Sequence, residues 1–162
     1  MTEETIAPRL RQVRSYVIRA GRMTPGQQLA MASLLPVHGL KHEDAALDQQ
    51  LQFGRDAELV FEIGFGMGTS LIAMAQANPG QDFIGVEVHP PGVGNILRMI
   101  EELQLTNLKI YQADAKLVLE QCIADGSLAK IQIFFPDPWH KKKHNKRRLI
   151  QADFVQEMRA KL

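Results

Sequence analysis

Several things are scarce in this chain, and each shortage removes a class of protein. One cysteine, Cys122, occurs in 162 residues. No disulfide can close within the chain, and no cysteine cluster can hold zinc. The apolar neighbours of Cys122 predict a buried thiol, which fits a cytoplasmic protein. No apolar run approaches the roughly 18 residues of a membrane-spanning helix. The start, MTEETIAPRL, is acidic and lacks an apolar segment, so it is not expected to be a secretory signal. No GxGxxG, GK[ST], HExxH or Ser-nucleophile elbow occurs, which argues against the corresponding dinucleotide, P-loop, zinc-hydrolase and acyl-transfer sites. His140 and His144 lie four apart with no supporting ligand cluster, so no metal site is expected. What remains is 45% apolar and 23% charged, the composition of a folded domain. The length suits one sizeable core and is too short for two ordinary domains.

Acids are missing from two stretches in particular. Between Arg9 and Arg22 lie five arginines and no acid, and between Lys141 and Arg148 six lysines and arginines and no acid. The net charge of +1 hides this separation. Single-sign blocks point to a polyanionic partner; solubilising charge is the plainer alternative. Residues 1–23 read as a basic N-terminal arm, and 24–162 as one domain.

From Thr24, TPGQQLAMASLLP carries a helix start: Thr24 as cap, Pro25 at the first position, Gln27 closing the box. Leu29, Met31, Ala32, Leu34 and Leu35 supply its apolar side, and Pro36 is expected to end it. Residues 37–57 read as surface connection. Beyond them, β-forming runs begin at Glu58, Asp82, Asn107 and Leu128. They alternate with helical patterns after Gly68, over 92–104, over 115–124 and from about Lys146 to Lys161. In the last of these, Leu149, Ile150, Phe154, Val155 and Met158 can share a face. Short, nearly all-apolar strands at βαβ spacing predict a parallel sheet covered by helices on both faces. Ligands of such sheets sit beyond the carboxyl ends of the strands.

The residues just past those ends are therefore the informative ones. EIGFGMG places Gly64, Gly66 and Gly68 after the first predicted strand, with Glu62 before them. An acid there suits a ligand with a positive amino group better than a pyrophosphate. Glu87 ends the second strand, where it can accept from ribose hydroxyls or stand as an exposed acid. Asp114 follows the third; it can accept from an exocyclic amine, with the Ala115 N–H donating to a ring nitrogen, or cap the next helix. After the fourth comes FFPDPWHKKKHNKRR, residues 134–148. Prolines on both sides stiffen the backbone at Asp137. Trp139 can stack on a base or cover the sheet edge.

These segments resemble the bacterial tRNA (guanine-N7)-methyltransferase family. The resemblance rests on RSYVIRAGRMTPGQ (14–27), EIGFGMG (62–68), VEVHPPGVG (86–94), QADA (112–115) and above all FPDPWxKxxHxKRR, and covers the chain from about Arg9. It implies a Rossmann-like α/β fold for S-adenosyl-L-methionine-dependent methyl transfer, a guanine of the tRNA variable loop as target, and a cytoplasmic, metal-free enzyme. By the same resemblance the methyl donor contacts Glu62, Gly64, Gly66, Gly68, Glu87, Asp114, Ala115 and Asp137, with Asp137 at the catalytic centre. RNA contacts fall on Lys141, Lys143, His144, Asn145, Lys146, Arg147 and Arg148. Relatives carry further strands, another substrate-contacting aspartate and a T-x-x-E segment beyond the position of Leu162. The domain over 24–162 is accordingly expected to be partial, its sheet incomplete at the C-terminus with an exposed last strand. An inactive tRNA-binding fragment, or another nucleotide-binding α/β enzyme such as a dehydrogenase, is the competing reading.

Overall fold

A computed structural model describes residues 16, 18, 21–44, 46–136 and 141–162. The first helix, α1 (Pro25–Ser33), starts as its sequence predicts. The Gln27 N–H donates to Thr24 Oγ1 at 3.2 Å, and the Thr24 N–H to Gln27 Oε1 at 2.9 Å. Two N–H groups without intrahelical partners are thereby satisfied. Thr24→Ala is expected to lower unfolding free energy by about 1 kcal/mol in a urea titration.

Pro36 does not end that helix. It sits in the first turn of a second short one, α2 (Leu35–His38), where its missing N–H leaves no hydrogen bond unmade. The expected apolar side of α1 holds in part: Met31, Leu34 and Leu35 pack against the core beside the buried Gln27 and Ala30, but Leu29 and Ala32 are exposed. Nor are residues 37–57 only a surface connection. They contain a two-residue strand, β1 (Gly39–Leu40), a 3₁₀ turn at His42–Asp44 and helix α3 (Gln49–Phe53), capped by Asp48.

The expected alternation follows: β2 (Leu59–Ile63), α4 (Thr69–Ala77), β3 (Asp82–Val86), α5 (Pro90–Glu102), β4 (Leu108–Tyr111), α6 (Ala115–Cys122) and β5 (Lys130–Gln132). The sheet order is β1-β4-β3-β2-β5, and every pairing is parallel. The chain steps outward from β2 through β3 to β4, then returns to lay β5 on the other side of β2. Strand order therefore reverses between β2 and β5, and a doubly wound sheet opens its ligand crevice at such a reversal.

Side-chain alternation divides the core. Leu59, Phe61 and Ile63 face Val118, Leu119 and Phe154, while Val60 faces Leu71 and the buried side of α5. Val93, Ile96, Leu97 and Ile100 are fully buried. At about 2 kcal/mol for each such side chain, α5 is an anchor of the fold. Asp82 is also fully buried, and Arg55 binds its Oδ1 at 2.6 Å while Gln49 donates to Oδ2. Helix α7 (Ala152–Lys161) begins later than the predicted Lys146, because Lys142–Arg147 form a 3₁₀ turn. Of its predicted apolar face, Leu149, Phe154 and Met158 join the core, but Ile150 and Val155 are exposed.

Candidate active site

β2 delivers a carboxylate and a glycine turn to the point of reversal. Gly64, Gly66 and Gly68 all adopt positive φ, of 70°, 59° and 82°, which L side chains resist. A Cβ at Gly64 or Gly66 would project into open space, the space a ligand uses to approach backbone. At Gly68 a Cβ would meet Ile96 Cδ1 at 2.6 Å. The first two glycines thus keep a cradle open, and the third lets α4 pack on α5.

Glu62 precedes this turn and is only 2% exposed. Its register partners are Gly85 on β3 and Gln132 on β5. Phe65 and Leu71 fill the space over Gly85. Among the described residues, Glu62 Oε2 has no hydrogen-bond partner. Burial pushes its carboxyl up to about 7, because desolvation disfavours the charged form. A buried acceptor left without a donor costs about 1–3 kcal/mol. Such a cost at a strand tip is characteristic of a binding group rather than a packing one.

Glu87, just past β3, is neither an idle surface acid nor wholly free for a ligand. Its Oε2 accepts from the Gly66 N–H at 2.9 Å, and its Oε1 from the N–H groups of Val88 and His89 at 2.8 and 3.0 Å. The side chain ties the glycine turn to the entry of α5. The Glu87 N–H in turn donates to Tyr111 O at 3.1 Å, which binds this tip to that of β4. Three residues beyond Tyr111, Asp114 Oδ1 accepts from the Lys116 N–H at 3.0 Å. The helix-cap alternative for Asp114 is therefore realised, and Ala115, first residue of α6, presents an N–H with no intrahelical acceptor.

Glu62, the glycines, Glu87, Asp114 and Ala115 are thus gathered along the carboxyl edge of three adjacent strands. Asp137, the expected catalytic residue, and Trp139 and His140 lie outside the described residues. Lys141, Lys143, Asn145, Lys146 and Arg147 are exposed, with His144 and Arg148 half-buried. Partial burial, then the charges of Arg147, Lys143 and Lys141, hold the His144 imidazole below its ordinary value. Gln151 Nε2 closes the segment by donating to the carbonyls of Asn145 at 2.6 Å and Arg148 at 3.2 Å. The result is a presented cationic turn, not a frayed tail.

Two kinds of residue escape a reading by motif. One is Gln132, across from Glu62 on β5; its Oε1 is likewise buried and unpartnered. The other is the glycine pair in α5. A Cβ at Gly92 would collide with the carbonyl oxygen of Gly66, and one at Gly94 would meet Gln27 O at 2.8 Å. Their signal was present in PPGVG, since two glycines within a helix each cost about 1 kcal/mol unless something requires them. Cys122 is buried, as its neighbours predict; its Sγ lies 3.4 Å from His42 O, and burial pushes its thiol up. A groove of about 730 Å³ beside β1 is lined by Leu35, Leu40, Leu47, Leu51 and Tyr111 among others, and not by Glu62, Glu87 or Asp114. Among the described residues no cluster could hold a metal ion, and no helix is long and apolar enough to cross a membrane.

Known proteins resemble this chain in sequence and in fold. The tRNA (guanine-N(7)-)-methyltransferase of Shewanella frigidimarina is 54% identical over 153 residues, which are 94% of this chain and 64% of that protein. The protein of the same name from Saccharophagus degradans is 55% identical over 152 residues, covering 94% and 66%. The chain therefore spans just under two-thirds of the length of these curated relatives. Among solved structures, the 16S rRNA methyltransferase KamB superposes with a TM-score of 0.51 at 15% identity, over 69% of this chain and 51% of that one. An antibiotic-related methyltransferase does so at 0.50 and 16%, over 74% and 57%. That likeness is one of fold, the Rossmann-like fold of S-adenosyl-L-methionine-dependent methyltransferases. Residues 56–162, which hold the glycine turn, the three strand-tip carboxylates and the cationic turn, match the family Methyltransf_4, "Putative methyltransferase". By that match, this chain belongs to the Methyltransf_4 family of methyltransferases.

Proposed function

We propose that the protein transfers a methyl group from S-adenosyl-L-methionine to N7 of a guanine in the variable loop of tRNA. The observation that carries this reading is the buried, unpartnered Glu62 beside an open glycine cradle at the strand reversal. The residues present fit the donor. Glu62 suits its ammonium group. The space over Gly64 and Gly66 suits a close backbone approach. Glu87 Oε2 keeps one lone pair for a ribose hydroxyl beside the N–H it already accepts, and the Ala115 N–H suits an adenine ring nitrogen.

When bound, S-adenosyl-L-methionine supplies a methyl group activated by its sulfonium. The attacking atom, guanine N7, already carries a lone pair. No residue has to remove a proton first, so the protein's main task is placement. Asp137, flanked in sequence by Pro136 and Pro138, takes an orienting role. A fixed carboxylate there favours the positive charge that passes to the purine.

The exposed turn at Lys142–Arg147 supplies the RNA side of the proposal. Phosphate contacts give affinity and register without reading bases. Replacing Lys143, Lys146, Arg147 and Arg148 by Ala is expected to weaken tRNA binding about tenfold or more and to flatten its salt dependence. Affinity for S-adenosylhomocysteine should stay unchanged. Filter binding over a salt series and calorimetry check the two halves.

The deciding experiment incubates the protein with methyl-labelled donor and an unmodified tRNA transcript, then maps label by cleavage at 7-methylguanosine. Label confined to a variable-loop guanine supports the proposal. Binding of tRNA without transfer supports a non-catalytic RNA-binding role instead. Transfer to a different base or to protein rejects the substrate assignment.

A further inference from the structure

Glu62 and Gln132 are opposite one another on β2 and β5, the two strands that flank the topological reversal. Paired residues of neighbouring strands project to the same face of the sheet. Each carries one buried side-chain oxygen with no donor, Glu62 Oε2 and Gln132 Oε1. Two acceptors side by side cannot satisfy each other while the carboxylate is ionised, since both offer only lone pairs. They are matched by a single group with several N–H donors. A primary ammonium has three and adds a charge complementary to Glu62. The other neighbour of Glu62 across the sheet is Gly85, whose open side is filled by Phe65 and Leu71. The apolar wall there provides no further acceptor.

We propose that Gln132 is the second acceptor of an ammonium seat shared with Glu62, and that it sets the preference for a cofactor bearing a free amino-acid end. This inference rests on the cofactor reading above and extends it to a residue outside the glycine turn, the strand-tip acids and the FPDPW segment. Position 132 is the last residue of β5, so the strand that leads into FFPDPW also reaches back to the methyl donor.

Calorimetry at pH 8 with two ligands tests it. S-adenosylhomocysteine carries the amino-acid end; 5′-methylthioadenosine keeps the nucleoside and sulfur but lacks that end. Gln132→Met, close in shape but without polar atoms, is expected to weaken S-adenosylhomocysteine about tenfold and to leave methylthioadenosine within about twofold. Gln132→Glu restores an acceptor and is expected to bind S-adenosylhomocysteine at least as tightly as wild type, again with little change for methylthioadenosine. Thermal melts verify that both variants fold, and Gln132→Glu alone decides the matter if Gln132→Met does not. For Gln132→Met, equal weakening of both ligands, or of neither, overturns the proposal and leaves the cofactor reading standing; for Gln132→Glu, weaker binding of S-adenosylhomocysteine does so. Equal affinity of the wild-type protein for the two ligands overturns it in the same way. Failure of the folded wild-type protein to bind either nucleoside overturns the cofactor reading and this inference with it.

Discussion

Gly92→Ala is expected to remove about 3 kcal/mol of stability and to abolish binding of S-adenosylhomocysteine. The added methyl would collide with the carbonyl oxygen of Gly66, a backbone atom inside a turn of three positive-φ glycines. Backbone cannot rotate away as a side chain does. The turn is also held in place by the Glu87 carboxylate on the Gly66 N–H. α5 must therefore withdraw, and its fully buried Val93, Ile96, Leu97 and Ile100 move with it. Urea denaturation and calorimetry read the two losses. A variant of wild-type stability that still binds would show that the contact between α5 and the turn is looser than described. Gly54→Ala is the control: unlike Gly92 it has positive φ, but a Cβ there meets nothing within 4 Å, so only local strain is expected.

Glu62→Gln is expected to move stability and binding in opposite directions. Burial raises the Glu62 carboxyl from 4.5 to about 7. Between those values the folded state holds more protons at this site than the unfolded state does, so stability falls as pH rises and levels off above about 7. The total loss is about 3 kcal/mol, present in wild type and absent from the variant. At pH 8 the variant should thus be the more stable protein in urea. At the same pH it should bind S-adenosylhomocysteine about a hundredfold more weakly, the order expected when one partner of a buried charge pair is removed. A less stable variant with unchanged affinity would instead make Glu62 a packing residue. Stability held below its attainable value by a buried acid is the usual mark of a site kept for binding.

Much of the strand and helix pattern was legible because the sheet is buried on both faces. LVFEI and DFIGV are apolar except where function or register intervenes, and their β-branched and aromatic residues leave little ambiguity. The start of α1 was legible because a capping box is a local device, complete within four residues. β1 was not, because two residues carry no periodicity; Gly39–Leu40 become a strand only because β4 offers them an edge at Ile110 and Tyr111. Pro36 misled for a related reason. Proline ends one helix or starts the next, and which occurs depends on how the chain turns at Leu34. The onset of α7 was displaced because the basic residues before it form a 3₁₀ turn held by Gln151. No pattern of apolar residues encodes that bond.

Glu62, Glu87 and Asp114 could be nominated without coordinates, since acids past strand ends are where such a sheet places ligand contacts. Which of their alternative duties each performs could not. Glu87 proved to brace the glycine turn, and Asp114 to cap α6, because both depend on which backbone N–H groups fold back within reach.

By itself, then, the amino-acid order determined the alternating α/β architecture, the glycine bend with its leading acid, and the run of basic residues from Lys141 to Arg148, all set by neighbours a few residues apart. Only the tertiary structure decided that Gln132 stands across from Glu62, that Gly92 must be bare to admit the Gly66 carbonyl, and that Glu62 is cut off from water. Those three depend on strand order and helix docking between segments far apart in sequence, and no local preference specifies them.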